Sequence, residues 1–136
     1  MTIPNVDVTK ATELVAQAQS VIDTGVKRLS ALGGPDKEQT LAYDLAHAAS
    51  AIATARACLS YAAKGTQEAG LTAAFLAIAL SDLATRILGR EELWGVESDW
   101  YKPFALFVST YRQAEFVGSL AETPGPKHLD LSLIHI

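Results

Sequence analysis

The chain has 136 residues, the length of one domain, with a formal net charge of −4 and a pI of about 5.3. Nucleic-acid-binding domains usually gather their basic residues into one patch. The 11 lysines and arginines are scattered here, so we expect no nucleic-acid partner. Cys58, the single cysteine, allows no internal disulfide and lies in an apolar run typical of a small core side chain. The absence of an internal disulfide and of a leader segment is typical of cytoplasmic proteins, so we expect that location.

The first predicted helix runs from Val8 to Leu32. Apolar residues recur at the three-and-four spacing of a single helix face. Asp7 is the expected N-cap, and Gly33-Gly34-Pro35 should end the helix because glycine accepts a left-handed turn and proline cannot continue it. The predicted inner face is Val8, Ala11, Leu14, Val15, Ala18, Val21, Ile22, Val26 and Leu29.

The second predicted helix begins at Asp36, which could form a capping box with Gln39. Lys64 places a cation near the last carbonyls, and Gly65 is a suitable C-cap. The expected inner stripe is Leu41, Leu45, Ala48, Ile52, Ala55, Leu59 and Ala62.

The third predicted helix has Thr66 as its cap and Glu68 in its first turn, and it ends at Gly89 or Gly95. From 71 to 80 it is apolar on every side apart from a threonine, the pattern of a central helix. That apolar run is about half the roughly twenty residues that a membrane span needs, so no membrane span is expected.

The fourth predicted helix starts with Pro103 in its first turn and continues to about Ala121. Its inner face should be Phe104, Phe107, Val108, Tyr111, Ala114 and Val117. Residues 122–131, with a Thr-Pro-Gly-Pro stop, indicate a linker towards a further domain. For residues 132–136, a non-native tail and an ordinary frayed terminus are equally weighted alternatives.

These elements predict an all-α fold, an antiparallel up-down-up-down four-helix bundle over residues 1–121. The segment from Leu41 to Ser81 contains only four ionic side chains: Asp44, Arg56, Lys64 and Glu68. Such a segment cannot supply polar stripes for two surface helices. We therefore expect both helices to be buried on most sides, with something beyond the bundle covering them.

The search for chemistry identifies no catalytic, cofactor-binding or metal-binding residues. His47, with Asp44 one turn before it, is the best reactive candidate, and a histidine phosphotransfer domain is an alternative function. The lysine and glycine that follow the histidine in such domains are missing, so a histidine bonded to Asp44 or to a neighbouring surface is favoured. No Glu-x-x-His motif and no phosphate-binding loop occurs.

The remaining candidates are polar side chains expected to have structural roles. Arg56 and Asp82 lie in apolar helical segments and each needs a partner, because an unpaired buried charge is costly. We expect Arg56 to meet Asp44 or Asp82, or to extend to an interface, and Asp82 to pair with Arg86 four residues later. The acidic and aromatic corner around Trp94 and Trp100 is interpreted as the sealed end of the bundle, with a docking surface as the alternative.

Two segments resemble helices of the carboxy-terminal bundle of acyl-CoA dehydrogenases. They are the Ala-rich stretch 42–62, with its Ala-Tyr-Asp-Leu-Ala-His-Ala-Ala and Ala-Arg-Ala-Cys-Leu runs, and the stretch 74–89. The family's flavin-contacting Gln-x-x-Gly-Gly turn has only Glu92-Leu93-Trp94-Gly95 as a counterpart, and its catalytic glutamate has none. No functional residue of the family can therefore be assigned here.

The resemblance implies an extra amino-terminal helical domain of an acyl-CoA dehydrogenase-like flavoprotein. The parent would use FAD to oxidise acyl-CoA thioesters, while this chain would be a non-catalytic scaffold or oligomerisation domain without a cofactor. Its expected partner is a second copy or the remainder of the parent enzyme. A stand-alone protein-interaction module is the alternative.

Overall fold

A computed structural model describes residues 5–122, apart from the side chain of the last of them, and this part of the chain contains helices and no strand. The order is α1 (Val8–Ala31), α2 (Gln39–Ala62), α3 (Thr66–Ile87), α4 (Glu91–Trp94), α5 (Lys102–Tyr111) and α6 (Ala114–Glu122). The all-α prediction is confirmed. Glu122, the first residue of the expected linker, belongs to α6, and the rest of the linker and the tail lie outside the described residues.

α3 is the central helix, as its apolar sequence predicts, and it packs against α2, α5, α1 and α6. Leu76, Leu80, Leu83 and Ile87 are fully or almost fully buried and fill the middle of the core. The Thr72 hydroxyl donates to the Cys58 carbonyl oxygen at 3.2 Å, near the loop that joins α2 and α3. Arg86 near the end of α3 donates to Asp44 near the start of α2, so the two helices run antiparallel.

By length and composition α3 also satisfies the criteria for a helix that crosses a membrane, and within the described residues no other helix does. Half of its most apolar 18-residue window is buried inside the fold. A core helix of a water-soluble domain has the same properties, so this is weak evidence for a span.

α1 matches its predicted bounds within one residue. The Asp7 carboxylate accepts from the Lys10 backbone N–H at 2.9 Å, which confirms the N-cap. Gly33 and Gly34 have φ angles of 104° and 90°, values that favour glycine, and they end the helix as expected.

The predicted caps of α2 and α3 are wrong. Asp36 lies in a turn closed by the Lys37 and Glu38 amides on the Gly34 carbonyl, so α2 starts three residues later, with Glu38 at the N-cap and no side-chain cap. Gly65 has an extended backbone with φ of 166° and precedes α3, whereas Thr66 is the first helical residue. Glu68 is in the first turn of α3, as predicted.

A short helix of four residues, α4, precedes the fourth predicted helix and ends at Gly95, whose φ of 76° turns the chain. The fourth predicted helix itself is divided, because it breaks at Arg112-Gln113 into α5 and α6. The break lets the Tyr111 and Phe116 rings meet edge to face, with centroids 5.0 Å apart. Val117, predicted to face inward, is 46% exposed.

α2 is not buried on most sides, contrary to the prediction. Its inner stripe is as expected, except that Leu59 is only partly buried. The opposite side faces solvent through alanine, hydroxyl, amide and aromatic side chains. The exposed positions are Gln39, Thr40, Tyr43, Ala46, His47, Ser50, Ala53, Thr54, Arg56, Ala57 and Ser60. An alanine presents a single methyl group, so a helix can expose it without ionic neighbours.

Trp94 seals one end of the helices, which agrees with the structural interpretation of the acidic and aromatic corner. Its side chain is 0% exposed and packs over Gly25 of α1. A Cβ added at Gly25 would lie 2.7 Å from Leu45 Cδ2 and 2.9 Å from the Trp94 ring. The glycine is therefore a notch that receives the indole where α1, α2 and α4 meet.

Candidate functional site

The most organised polar feature is an ion-pair network between α2 and the end of α3. Asp44 is buried, and each of its carboxylate oxygens accepts from a different arginine: Oδ1 from Arg86 Nη1 at 2.9 Å and Oδ2 from Arg90 Nη1 at 2.7 Å. Arg86 also donates from Nε to Asp82 Oδ2 at 2.9 Å. We call these four residues the ion-pair network.

Helix geometry brings the network together. Asp82 and Arg86 are one turn apart on α3, which places them on one face. The chain then turns at Gly89, with φ of 82°, and this turn brings Arg90 back over the start of α2. Asp44 projects from the buried face of α2 into the space between the two guanidinium groups.

Charge balance explains why Asp44 can be buried. Two carboxylates face two guanidinium groups, so no net charge is removed from water, and the hydrogen bonds to Asp44 are charge-assisted. The hydrogen bond to Asp82, followed by that to Asp44, raises the pKa of Arg86 above its ordinary value, and burial acts in the opposite direction. Each Asp44 oxygen accepts from an arginine at a buried position, so the carboxylate is held in a structural ion pair.

Two aromatic side chains lie beside the network. The Arg86 guanidinium carbon is 5.8 Å from the centroid of the Tyr43 ring, within the range of a cation–π contact. The Tyr43 and His47 rings are 4.4 Å apart and tilted by 50°. Both side chains are exposed, and an open cavity of about 430 Å³ lies beside them, lined by Gln39, Thr40, Tyr43, Asp44 and Arg90.

The structure brings three of the five sequence-predicted polar residues into the network: Asp44, Asp82 and Arg86. His47 stays at its edge and makes no hydrogen bond to Asp44. Arg56 is elsewhere: its Nη2 donates at 2.8 Å to Gln19 Oε1 on α1, and not to Asp44 or Asp82. An exposed arginine on α2 needs no buried carboxylate, because water solvates the rest of its charge.

Sequence reasoning missed Arg90. The signal was present in the spacing of Asp82, Arg86 and Arg90, each four residues after the last. Gly89 was a predicted end of the helix, so Arg90 was not assigned to the same helix face.

Cys58, expected in the core, is only partly buried. Within the described residues, no group of three potential ligands could hold a metal ion.

A second feature is the outward side of α3. Leu71 is 37% exposed and Ile78, two turns later, is 53% exposed, with a partly buried Phe75 between them. We call these three residues the α3 row.

The chain was also compared with models of protein families, with curated proteins and with solved structures, and none of these comparisons finds a match.

Proposed function

We propose that this chain is a non-catalytic helical module that assembles through the α3 row, with a second copy of itself or with the remainder of a larger protein. The observation that carries the proposal is the exposure of large apolar side chains on the helix that is otherwise the centre of the core. A central helix with one uncovered apolar side is an incomplete layer in a packed domain.

The energetics of the α3 row are consistent with an interface anchor. Fully burying a leucine or isoleucine contributes about 1.5–3 kcal/mol. The three side chains are already partly covered, so completing their burial contributes a few kcal/mol in total, roughly the size of a small hot-spot cluster. The ion-pair network supports a structural role, since each oxygen of the buried Asp44 carboxylate pairs with an arginine.

We further propose that α1, α2, α3 and the α5–α6 pair form the four rods of an antiparallel bundle. Support comes from contacts that pair late residues of one helix with early residues of the next. Arg56 near the end of α2 bonds Gln19 in the first half of α1, and Leu45 near the start of α2 lies against Gly25 in the second half of α1. α2 and α3 are related in the same way.

The membership of this module in an acyl-CoA dehydrogenase-like flavoprotein is also a proposal, and it rests on the Ala-rich segments described above. The FAD and the acyl-CoA chemistry would belong to the parent enzyme in the cytoplasm. Sequencing the gene beyond codon 132 tests it. An open frame encoding a flavin-binding β-domain supports the parent enzyme, whereas a stop codon in clean sequence favours the stand-alone interaction module.

Size-exclusion chromatography with light scattering tests the assembly. We expect the full chain to form an oligomer and the double substitution Leu71→Glu with Ile78→Glu to shift it to a monomer. Leu106→Glu is the matched control, because Leu106 is 78% exposed on α5 and outside the α3 row. A wild-type chain that stays monomeric at high concentration contradicts self-assembly. An oligomer unchanged by the double substitution contradicts the α3 row as its interface.

A further inference from the structure

A separate cavity of about 390 Å³ lies where the end of α3 meets the start of α5. Ala84 and Leu88 of the α3 end contribute an apolar wall, and Leu88 is 82% exposed at the rim. Trp100 and Tyr101 form an aromatic wall. The volume is in the range of sites that bind small molecules.

Glu91 is the charged side chain in the lining. Its carboxylate is held by the Gly89 backbone N–H, at 2.6 Å to Oε1 and 3.2 Å to Oε2. A carboxylate has about four acceptor positions, so these bonds leave room for a further donor. In the described part of the chain no lysine or arginine forms an ion pair with Glu91.

Two aromatic residues, Trp100 and Tyr101, line the same cavity as this carboxylate. The Trp100 and Tyr101 centroids are 5.5 Å apart with an interplanar angle of 68°, so the rings are nearly perpendicular. The face of an indole or phenol ring attracts a cation that lies within about 6 Å. Burial raises the pKa of the Tyr101 phenol, so this ring is neutral at pH 7.

Glu91 is the charged residue among those that line the cavity, and the basic residues Arg90 and Lys102 are next to lining residues in the sequence. Residues 91–99 contain four carboxylates and no basic residue. Arg112 contacts the lining, since its Nη1 donates to Ser81 Oγ at 2.9 Å. Its charge also opposes the upward shift in the pKa of Tyr101, which places Arg112 near that ring. We therefore expect a bound cation at the Glu91 carboxylate and not beside Ser81, which already accepts from Arg112.

We propose that this cavity binds an organic ammonium group on a short alkyl chain, with the cation between the Glu91 carboxylate and the Trp100 ring and the chain against Leu88 and Ala84. An ammonium group of this kind occurs in free alkylamines and in the lysine side chains of proteins, and the test below distinguishes these two sources. The proposal is independent of assembly through the α3 row, because no residue of that row lines the cavity.

Calorimetric titration of the full chain at low ionic strength tests the ligand chemistry, with n-butylammonium, n-butanol and n-butyrate as probes. We expect saturable binding of n-butylammonium, at least about tenfold weaker binding of n-butanol, because the alcohol lacks the positive charge that the carboxylate and the ring attract, and no binding of n-butyrate. Nα-acetyl-lysine amide identifies the source: binding as tight as n-butylammonium assigns the site to a lysine side chain, and much weaker binding assigns it to a free amine.

Substitutions around the cavity have opposite expected effects. Glu91→Gln should weaken n-butylammonium binding by about tenfold. The matched control Glu92→Gln, at an exposed position outside the lining, should change it by no more than about twofold. Arg112→Gln should tighten binding by roughly twofold to threefold, because it removes a like charge.

Ser98→Arg is the second variant, should Glu91→Gln lose the helical circular dichroism of the wild type. Ser98 is exposed and lines the cavity, so a cation there should abolish ammonium binding without disturbing the core. Equal affinities for n-butylammonium and n-butanol, unchanged affinity in Glu91→Gln or in Ser98→Arg, or no saturable binding of n-butylammonium would each overturn the proposal.

Discussion

Asp44 is the one charged side chain that is buried in the described part of the chain, and its carboxylate lies between Arg86 and Arg90. Asp44→Ala leaves Arg86, which is mostly buried, without its interhelical partner. We expect the free energy of unfolding to fall by about 3 kcal/mol, the lower end for breaking a buried pair, because Arg90 is half exposed and can turn to water. Chemical denaturation measures the change.

Arg56→Ala is the control for this prediction, because it removes a hydrogen bond between exposed side chains on α2 and α1. It should change the free energy of unfolding by no more than about 0.5 kcal/mol. If the two substitutions destabilise the protein equally, the network does not stabilise the packing of α2 on α3.

Gly25 is required for its lack of a side chain. Gly25→Ala adds a methyl group 2.7 Å from Leu45 Cδ2 and 2.9 Å from the Trp94 ring, which is closer than carbon atoms normally approach. The indole is fully buried and cannot move away freely. We expect a loss of about 2 kcal/mol, typical of overpacking a core. Thermal unfolding followed by circular dichroism measures it.

Gly118→Ala is the matched substitution. Gly118 is also helical, and an added Cβ there has no atom within 4 Å. It should stabilise the protein by up to about 1 kcal/mol, because alanine is the better helix former. Destabilisation by both glycine substitutions would mean that backbone effects, and not the notch for Trp94, determine the result.

At the scale of elements, the two long N-terminal helices differ in their caps. α1 has the Asp7 carboxylate on the Lys10 N–H, whereas Glu38 at the N-cap of α2 makes no side-chain cap. Glu38→Ser should therefore stabilise the protein by about 1 kcal/mol, and Asp7→Ala should destabilise it by a similar amount. Opposite shifts in the denaturation midpoint are the expected result, and shifts of one sign contradict it.

The helices were predictable to the extent that one local signal determined them. α1 has a regular apolar face, a carboxylate cap and a glycine pair at its end, so its bounds follow from sequence. The start of α2 did not, because Asp36 is a good cap residue by type but the turn onto the Gly34 carbonyl places it before the helix. The break between α5 and α6 also depends on tertiary packing, since Tyr111 and Phe116 meet only when the helix bends.

The polar residues follow the same rule at the scale of the whole molecule. The Asp82–Arg86 pair lies within one helix and was predicted from its spacing. The Asp44 contacts join residues 42 and 46 positions apart and depend on the register of α2 against α3, which no local pattern specifies. Arg56 was expected to meet a carboxylate or to extend to an interface, because the exposed alanines of α2 were interpreted as buried ones.

Assembly through the α3 row should also change the thermal stability of the protein. Association stabilises the native state by mass action, so the melting temperature should rise with protein concentration. For a dimer of a chain this long, a tenfold increase in concentration should raise it by roughly 2–4 °C. Differential scanning calorimetry over two decades of concentration measures the slope.

Leu71→Glu with Ile78→Glu should remove this slope while leaving the melting temperature at low concentration nearly unchanged, because both side chains are already partly in water and glutamate is a good helix former. Leu106→Glu should keep the slope of the wild type. A melting temperature independent of concentration in all three proteins would mean that the chain does not associate and that the exposed side of α3 faces solvent. The chain would then be a self-sufficient helical domain.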